Sequence, residues 1–316
     1  MRHELSRHAR SQSAHQLSSD IRSVIVAVIT YRRPESLARL LDSLLRLETQ
    51  LVVEVVVIDN DPSRSARTVA TTHAIQPVYH VEPKPGIAAA RNASIEAAVG
   101  RGDAIIFVDD DEEVPPGWVD KLVEAALKYD AAMVAGPVIS RFPEATPKWV
   151  TRGGFFQRRV RSTGSSDGLP ATNNTLVRTD LLLRHAHIRF NESYSFTGGS
   201  DSDFFSRLIA TSQCRWIWCS DAEVFEHVQV DRVSARWLVR RGIRSGNVLG
   251  RLALRSTPKT IVVIKSLGYL LAGLLSLPIS LTIAPGWRAR TLIAFTRGIG
   301  MLGACRGKFV NEYARD

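Results

Sequence analysis

The sequence predicts an α/β protein with a doubly wound, mostly parallel sheet, followed by a helical C-terminal segment that associates with a membrane. Three observations support this prediction. Short runs of β-branched residues alternate with helical patterns over the first 140 residues. Polar residues stand directly after three of these runs. A late stretch, 266–284, holds 19 uncharged residues.

The predicted strands are apolar runs at 24–30, 52–58, 77–81 and 104–108. Runs of this composition suit strands that are buried on both faces of a sheet. Helical patterns separate or follow them at 34–47, 86–99 and 116–129. Strands that alternate with helices in this way form a parallel, doubly wound sheet, in which ligands bind beyond the carboxyl ends of the strands.

The regular alternation ends near residue 140. Later strands are predicted at 172–178, 215–220 and 223–228, and later helices at 201–212 and 234–254. We divide the chain into a disordered tail over 1–23, one folded domain over 24–230 with halves 24–138 and 139–230, and a basic and apolar helical region over 231–316.

Charge and cysteine content narrow the function classes. Residues 227–316 carry 15 Lys and Arg against 3 Asp and Glu, whereas residues 1–226 carry 26 against 28. Basic character confined to one segment argues against a chain that wraps nucleic acid along its length. Three cysteines without a histidine at ligand spacing predict neither a disulfide framework nor a zinc site, and a reducing compartment is the default expectation.

The run "FVDDDEEVPPGW" ends the fourth strand on five consecutive carboxylates. Side chains alternate in direction along extended chain, so Asp109 and Asp111 are expected to face the same cavity. Oxygen ligands at this spacing suit Mg²⁺ or Mn²⁺. The alternative is a solvated acidic turn, with Glu112 and Glu113 near the start of the next helix, where negative charge is favoured.

Other candidate residues have a structural and a functional interpretation. Arg91 lies in a helix of small residues and either forms a local pair or reaches a nucleotide. Asp201 and Asp203 follow "TGGS" at a helix start, where an aspartate serves as an N-cap or as a general base for a hydroxyl. His227 is either a structural histidine or a ligand of metal or phosphate.

The motifs "VAVITYRRPESL", "VVVIDND", "GIAAARN", "FVDDDEEVPPGW", "TGGSDSDFF" and "EHV" occur in the order found in family 2 glycosyltransferases, which the chain resembles over about residues 24–255. The layout is most similar to bacterial members that build surface polysaccharides. The resemblance implies the Rossmann-like GT-A fold, with a nucleotide-binding half at 24–138 and an acceptor half at 139–230. It also implies an inverting, Mg²⁺- or Mn²⁺-dependent transfer of sugar from a nucleotide-diphosphate sugar to a glycan or lipid-linked acceptor.

The resemblance assigns roles residue by residue. Thr30, Tyr31 and Arg33 match the first nucleotide-binding loop. Asp59 matches the acid that contacts the base, and Arg91 the basic residue beside it. The Asp-X-Asp motif, which holds ribose and the cation, corresponds to Asp109, Asp110 and Asp111. Asp201 matches the catalytic base, with Ser200 and Asp203 as acceptor-side neighbours, and His227 lies where some relatives place a further metal or diphosphate contact.

Two departures from the family pattern are visible. The residue before the catalytic base is usually glutamate, and here it is Ser200, so the acceptor-side contacts of that motif are expected to differ from those of the family. The Gln-X-X-Arg-Trp motif of processive relatives is incomplete because Val233 stands where glutamine would be. A single-addition enzyme is therefore expected.

The apolar stretch 261–284 is long enough to enter or cross a bilayer, and the arginines of 232–255 are expected to face anionic headgroups on the cytoplasmic side of the plasma membrane. A buried helical hairpin on the catalytic domain is the alternative. Two other functions remain open. A nucleotidyltransferase would attack the α-phosphate but usually needs a glycine-rich loop, which "TYRRPE" lacks. A catalytically impaired sugar-binding or scaffold protein is the other.

Overall fold

The computed structural model describes residues 20–282 and 285–311. The strands are β1 (Ser23–Thr30), β2 (Val52–Asp59), β3 (Val78–Val81), β4 (Ala104–Asp109), β5 (Glu112–Glu113), β6 (Met133–Ala135), β7 (Val138–Arg141), β8 (Thr175–Arg178), β9 (Trp216–Trp218) and β10 (Val224–His227). The helices are α1 (Pro34–Leu45), α2 (Arg67–Thr72), α3 (Ile87–Ala98), α4 (Trp118–Lys128), α5 (Lys148–Thr151), α6 (Thr179–Arg184), α7 (Ser200–Ser212), α8 (Ala235–Ala253), α9 (Lys259–Thr282) and α10 (Pro285–Cys305). Two 3₁₀ turns lie at Glu192–Tyr194 and Val230–Val233.

The main sheet has seven strands in the order β3-β2-β1-β4-β8-β6-β9, and only β8 runs antiparallel to its neighbours. The predicted doubly wound, mostly parallel sheet is therefore confirmed. In the parallel register, Thr30 pairs with Asp59, and Ile29 pairs with Asp109. Because these pairs align the carboxyl ends of β1, β2 and β4, the polar residues that follow the three strands start from one edge of the sheet.

Apolar side chains cover both faces of the sheet. On one face, Leu37, Leu40 and Leu41 of α1 are fully buried and belong to the same core cluster as the apolar side chains of α4. On the other face, the alanines of α3 and the aromatic rings of Phe204 and Phe205 of α7 pack against the strands. The small side chains of α3 let this helix approach the sheet closely.

A second, three-stranded sheet was not predicted. Its order is β5-β10-β7, with β10 parallel to β7 and antiparallel to β5. Strand β5 has only two residues and follows the acidic turn after β4, so no hydrophobic period marks it in the sequence. The sheet matters for the site because it joins the acidic turn to the strand that carries Glu226 and His227.

Most of the predicted tail lies outside the described residues, which begin at 20. Of the rest, Ile21 is buried in the core, and β1 already begins at Ser23. At the other end, the predicted apolar segment forms α9 up to Thr282, and its last two residues, 283–284, are not described.

Helices α8, α9 and α10 pack side by side through glycines. On α8, Gly242, Gly246 and Gly250 face α10, and a Cβ added at Gly246 would lie 2.8 Å from the Cα atom of Arg297. At such distances a side chain does not fit without movement of the backbone. The close approach therefore fixes α8 against the α9–α10 hairpin, defined here as residues 259–282 and 285–305.

The α9–α10 hairpin has an exposed apolar face. Its large apolar side chains with the greatest exposure lie on α9 and include Ile264, Leu271, Leu274 and Leu275, each more than half exposed. In the described part of the chain, Lys259–Pro278 is the stretch that is long and apolar enough to cross a membrane, and 17% of it is buried. Core helices of soluble proteins can match that length and composition, but such helices are mostly buried.

Candidate active site at the carboxyl edge of the sheet

A cavity of about 440 Å³ lies at the carboxyl ends of β1, β2 and β4. One side is formed by residues that follow these strands and by the start of α3, and the opposite side by the segment around Phe156, by β10 and by α8. Its lining includes Thr30, Tyr31, Arg33, Asn60, Asp109, Asp110, Asp111, Phe156, Arg158, Glu226, Arg232, Trp237, Arg241 and Arg244. Six of the residues predicted from the sequence are thus brought together: Thr30, Tyr31, Arg33, Asp109, Asp110 and Asp111.

Ion pairs and hydrogen bonds connect the acidic turn to β1 and to the loop after β10. The Thr30 hydroxyl donates to Asp110 Oδ2 at 2.7 Å, and Arg33 Nη1 lies 3.3 Å from Asp110 and 3.4 Å from Asp111. Arg232 Nη1 donates to Asp111 Oδ2 at 3.2 Å. The acidic run is therefore not a solvated turn, because Asp110 and Asp111 are buried and contact arginine side chains inside the cavity.

Burial makes two carboxyl groups of the acidic turn harder to ionise. It raises the pKa of Asp109 to about 7, an effect that Arg91 opposes and that Asp111 and Asp110 reinforce. Burial likewise raises the pKa of Asp110 to about 6, against the attraction of Arg33. Among the described residues, no hydrogen-bond donor contacts the Asp109 carboxylate, which lines the cavity. Added positive charge would favour its ionised form.

These observations test whether a divalent cation fits. Carboxylate oxygens are the ligands that Mg²⁺ and Mn²⁺ prefer, and Asp109 and Asp111 supply two of them on one cavity wall. Within 20–282 and 285–311, no group of three His, Cys, Asp or Glu side chains is arranged to hold a metal. The residues therefore fit a cation that is held by two carboxylates and completed by phosphate oxygens and water.

His227 does not join these two carboxylates. Its backbone N–H donates to the carbonyl of Asp111 at 2.9 Å, but its Nε2 atom lies 3.0 Å from Glu113 Oε2. Side chains alternate along a strand, and because Glu226 faces the cavity, the next side chain of β10 faces away. The metal-ligand role predicted for His227 does not fit this arrangement.

Asp59 lies beside the cavity rather than in its lining. It is fully buried and accepts hydrogen bonds from the backbone N–H groups of Asp61 and Ala66 and from the Tyr79 hydroxyl at 2.8 Å. Three donors hold this carboxylate in the turn after β2. The turn places Asn60, one of the polar residues that follow the second predicted strand, in the cavity lining, although no specific role was predicted for it.

Arg91 and Ser200 contact each other beneath the cavity. Arg91 Nη1 donates to Ser200 Oγ at 2.6 Å, and its guanidinium lies 5.7 Å from the centre of the Phe190 ring. Both side chains are buried. The serine that replaces the usual glutamate thus meets the predicted nucleotide-site arginine directly. The structure links α3 to the first turn of α7 at this point.

Asp201 and Asp203 occupy different environments. Asp201 is half-buried, and its Oδ1 accepts from the backbone N–H of Ser202 at 2.8 Å. Asp203 is fully buried, with Oδ2 accepting from Arg207 Nη2 at 2.7 Å and Oδ1 contacting Arg255. With both oxygens engaged, Asp203 connects α7 to the end of α8, so its predicted acceptor contact does not fit this arrangement.

The basic C-terminal segment supplies one wall of the cavity, contrary to the prediction that its arginines face lipid headgroups. Arg232, Arg241 and Arg244 line the cavity, and Arg251 and Arg255 contact Tyr194. The helical period explains the difference, because positions 241 and 244 lie on one face of α8 and the glycines on another. Arg236 and Arg240 are exposed.

Comparison with known proteins places the chain in a family. Residues 25–185 match the model of glycosyl transferase family 2. The succinoglycan biosynthesis protein ExoM of Rhizobium meliloti (strain 1021) is 35% identical over 244 residues, which cover 72% of this chain and 74% of that protein. The uncharacterized glycosyltransferase YwdF of Bacillus subtilis (strain 168) is 28% identical over 149 residues, covering 44% and 54%.

Solved structures agree on the fold. The mannosyltransferase PcManGT from Pyrobaculum calidifontis, in complex with GDP-Man and Mn²⁺, superposes with a TM-score of 0.54 at 18% identity and covers 96% of this chain and 82% of that one. S. aureus TarS 1-349 gives a TM-score of 0.53 at 15% identity, with 90% and 92% covered. The predicted GT-A architecture is confirmed.

Proposed function

The chain belongs to glycosyl transferase family 2, and from this premise we propose that it moves a sugar from a nucleotide-diphosphate sugar to an acceptor hydroxyl with inversion at the anomeric carbon. The observation that carries the proposal is the register of β1, β2 and β4. It aligns three strand ends, and direct contacts then join Thr30, Arg33, Asp110 and Asp111 in one cavity.

In this proposal the nucleotide-binding half, 24–138, holds the donor. Thr30, Tyr31 and Asn60 line the side of the cavity nearest β1 and β2, where nucleotides bind in doubly wound sheets. The hydrogen bonds that Asp59 accepts stabilise the turn that places Asn60 in the cavity. Arg33 supplies positive charge that attracts the phosphates. Arg91 lies outside the cavity lining, donates a hydrogen bond to Ser200, and its charge favours the ionised form of Asp109.

Asp109 and Asp111 would hold a Mg²⁺ or Mn²⁺ ion, which would stabilise negative charge on the leaving diphosphate. Two observations support this: the carboxylates share a cavity wall, and Asp109 carries no hydrogen bond from the described residues. The PcManGT structure contains Mn²⁺ with its nucleotide sugar, which agrees with the proposal.

Asp201 is the proposed general base. A carboxylate within hydrogen-bond reach of the acceptor hydroxyl takes its proton as the oxygen attacks the anomeric carbon. The bond between that carbon and the diphosphate oxygen breaks on the opposite face, and the nucleoside diphosphate leaves. Within residues 20–282 and 285–311, the Asp201 carboxylate accepts one hydrogen bond, from the Ser202 N–H to Oδ1, which leaves its second oxygen for the hydroxyl.

We also propose that the chain acts in surface-polysaccharide synthesis at the cytoplasmic face of the plasma membrane. Its similarity to a succinoglycan biosynthesis protein supports the first part. The exposed apolar face of the α9–α10 hairpin supports membrane contact. The acceptor is then a glycan or a lipid-linked glycan, recognised by residues of the half 139–230.

The donor reaction tests the proposal. The purified chain is incubated with a panel of nucleotide sugars and Mn²⁺, and the released phosphate species are measured. Release of nucleoside diphosphate is expected with one donor class. Pyrophosphate release would instead indicate a nucleotidyltransferase, and no release with any donor would favour a sugar-binding or scaffold role.

Substitution of the proposed base separates binding from chemistry. Asp201→Asn should lower the transfer rate by about 100-fold or more while the dissociation constant for the donor nucleotide changes little. Asp180→Asn, at the first turn of α6, is the matched control with unchanged activity. If Asp201→Asn lost donor binding as well, its assignment as the base would be wrong.

A further inference from the structure

A group formed by Phe156, Trp237 and Arg241 lies on the cavity wall opposite the nucleotide side. The two rings are stacked with centres 5.7 Å apart and planes at 6°. The Arg241 guanidinium lies 4.9 Å from the centre of Phe156 and 5.2 Å from that of Trp237. Phe142 packs edge-on against Phe156 at 5.3 Å, which fixes the orientation of that ring. The group is therefore a preformed surface.

The charge of Arg241 has no carboxylate partner in the part of the chain that the structure describes. Glu226, the acid whose charge acts on Arg241, is engaged by Arg158 Nη2 at 2.8 Å and by Arg232 Nη1 at 3.7 Å. Burial, reinforced by repulsion from Arg158, lowers the pKa of Arg241 to about 10. A half-buried guanidinium that other cations surround is stabilised by an anion from outside the chain.

The protein groups that would meet the donor's diphosphate are other charged side chains, which lie on the donor side of the cavity and apart from Phe156, Trp237 and Arg241. A continuous set of contacts runs from Thr30 through Asp110, Arg33, Asp111 and Arg232 to Glu226. The donor side is at its beginning, and the Arg158–Glu226 pair at its end adjoins Arg241. Arg241 thus adjoins the opposite end of these contacts from Thr30, which places an anion at Arg241 apart from a diphosphate bound on the donor side.

Helix α8 connects this second anion site to the apolar surface of the molecule. One face of α8 presents Trp237 and Arg241 to the cavity, and the glycines of another face pack on α10. Helix α10 in turn packs on α9, whose outer face exposes leucines. A ligand with a charged headgroup and an apolar chain would match both surfaces.

We propose that Arg241, with Phe156 and Trp237, binds the phosphate of an amphiphilic acceptor, an inference that rests on the proposed function. The guanidinium takes the phosphate through charge-assisted hydrogen bonds, and the two rings present a flat face to the group next to it. The site selects acceptors by their anionic group, independently of the donor sugar.

Binding of two probes with the same alkyl chain tests the proposal. Monododecyl phosphate and the neutral dodecyl maltoside are titrated below their micelle concentrations into the full chain, saturated with nucleoside diphosphate and Mn²⁺. The wild type should bind the phosphate at least about tenfold more tightly. Arg241→Gln should remove this preference, and Arg236→Gln, an exposed arginine on the same helix, should keep it.

Three results would overturn the inference: equal binding of both probes by the wild type, an unchanged preference in Arg241→Gln, or an equal loss of nucleoside diphosphate binding in that variant. The last result would assign Arg241 to the donor. If Arg241→Gln does not fold, Arg241→Met takes its place with the same expected and overturning results. Since the titration needs no transfer, a silent donor assay would contradict the proposed function alone.

Discussion

Asp61 illustrates how single carboxylates hold the loops at the carboxyl edge of the sheet. It is buried, it accepts from the Ser63 N–H at 3.1 Å, and it lies 3.3 Å from Arg32 Nε. Burial acts to raise its pKa, but hydrogen bonds from Ser63, Ser65 and Arg32 outweigh burial and hold the pKa below its usual 3.8. The ionised form is thus favoured by folding.

The sign of this shift gives a pH prediction. Because the pKa of Asp61 is lower in the folded than in the unfolded chain, its stabilisation is present above about pH 4 and is lost as the pH falls further. Asp61→Asn should lower the free energy of unfolding at pH 7, and the difference from the wild type should shrink toward pH 3. Denaturant titrations at the two pH values measure it, and a difference that grew on acidification would contradict the assignment.

At this scale, the carboxylates after β4 and Arg33 after β1 were predictable, whereas the arginines that reach the cavity from the second half of the chain were not. Asp109, Asp110 and Asp111 follow an apolar run directly, so the strand pattern alone locates them at the edge of the sheet. Arg158 and Arg241 reach the cavity from a loop and from a helix distant in sequence, so the strand pattern that locates the carboxylates does not indicate them. The glycines at every fourth position of α8 were the signal that could have oriented it.

The contact between α8 and α10 depends on glycine. Gly242, Gly246 and Gly250 lie on one face of α8, and α10 approaches them so closely that its atoms occupy the space of a side chain, with backbone atoms of Arg297 doing so at Gly246. This contact orients the cavity-lining face of α8, including Arg241. The packing of two helices outside the sheet therefore sets the geometry of one wall of the site.

A matched pair of substitutions tests the contact. Gly246→Ala should lower the free energy of unfolding by about 1–3 kcal/mol, because its Cβ would overlap the Arg297 backbone. Gly268→Ala on α9 meets no atom within 4 Å and should raise stability by up to about 1 kcal/mol through helix propensity. Thermal or denaturant unfolding measures both, and equal effects would show that the close approach is absent in solution.

The elements that the sequence predicted range from the long β1, β2, β4 and α1 to the short β3, β8, β9 and β10, each of which lies within an apolar run or a helical pattern. Strands β5, β6 and β7, of two to four residues, were not predicted. Tertiary pairing creates them: β6 lies between β8 and β9, and β5 pairs with β10. The second sheet therefore depends on contacts that no local pattern encodes.

On the scale of the whole molecule, the α9–α10 hairpin leaves an apolar face without a partner in the described chain. Leu267, Leu271 and Leu274 are 53%, 56% and 59% exposed. Replacing all three by glutamine should abolish co-flotation with anionic phospholipid vesicles while the unfolding temperature stays unchanged, since these side chains make few internal contacts.

Exposed leucines elsewhere provide the control. Leu45 and Leu183 are 51% and 54% exposed on the catalytic domain, and their replacement by glutamine should leave flotation intact. If the triple variant of α9 floated as the wild type does, the hairpin would not be the membrane contact. Composition indicated an apolar segment here, but only the structure shows which of its faces is covered by α10.

The central claim is that Asp109 and Asp111 hold a cation against the diphosphate of a nucleotide in the cavity. Isothermal titration of a nucleoside diphosphate, with and without Mn²⁺, into the wild type and Asp109→Asn tests it most directly, since Asp109 accepts no hydrogen bond from the described residues that the change would break. The wild type should bind about tenfold or more tightly with Mn²⁺, and Asp109→Asn should lose most of that gain. Equal affinities with and without Mn²⁺, or an undiminished gain in Asp109→Asn, would contradict the account.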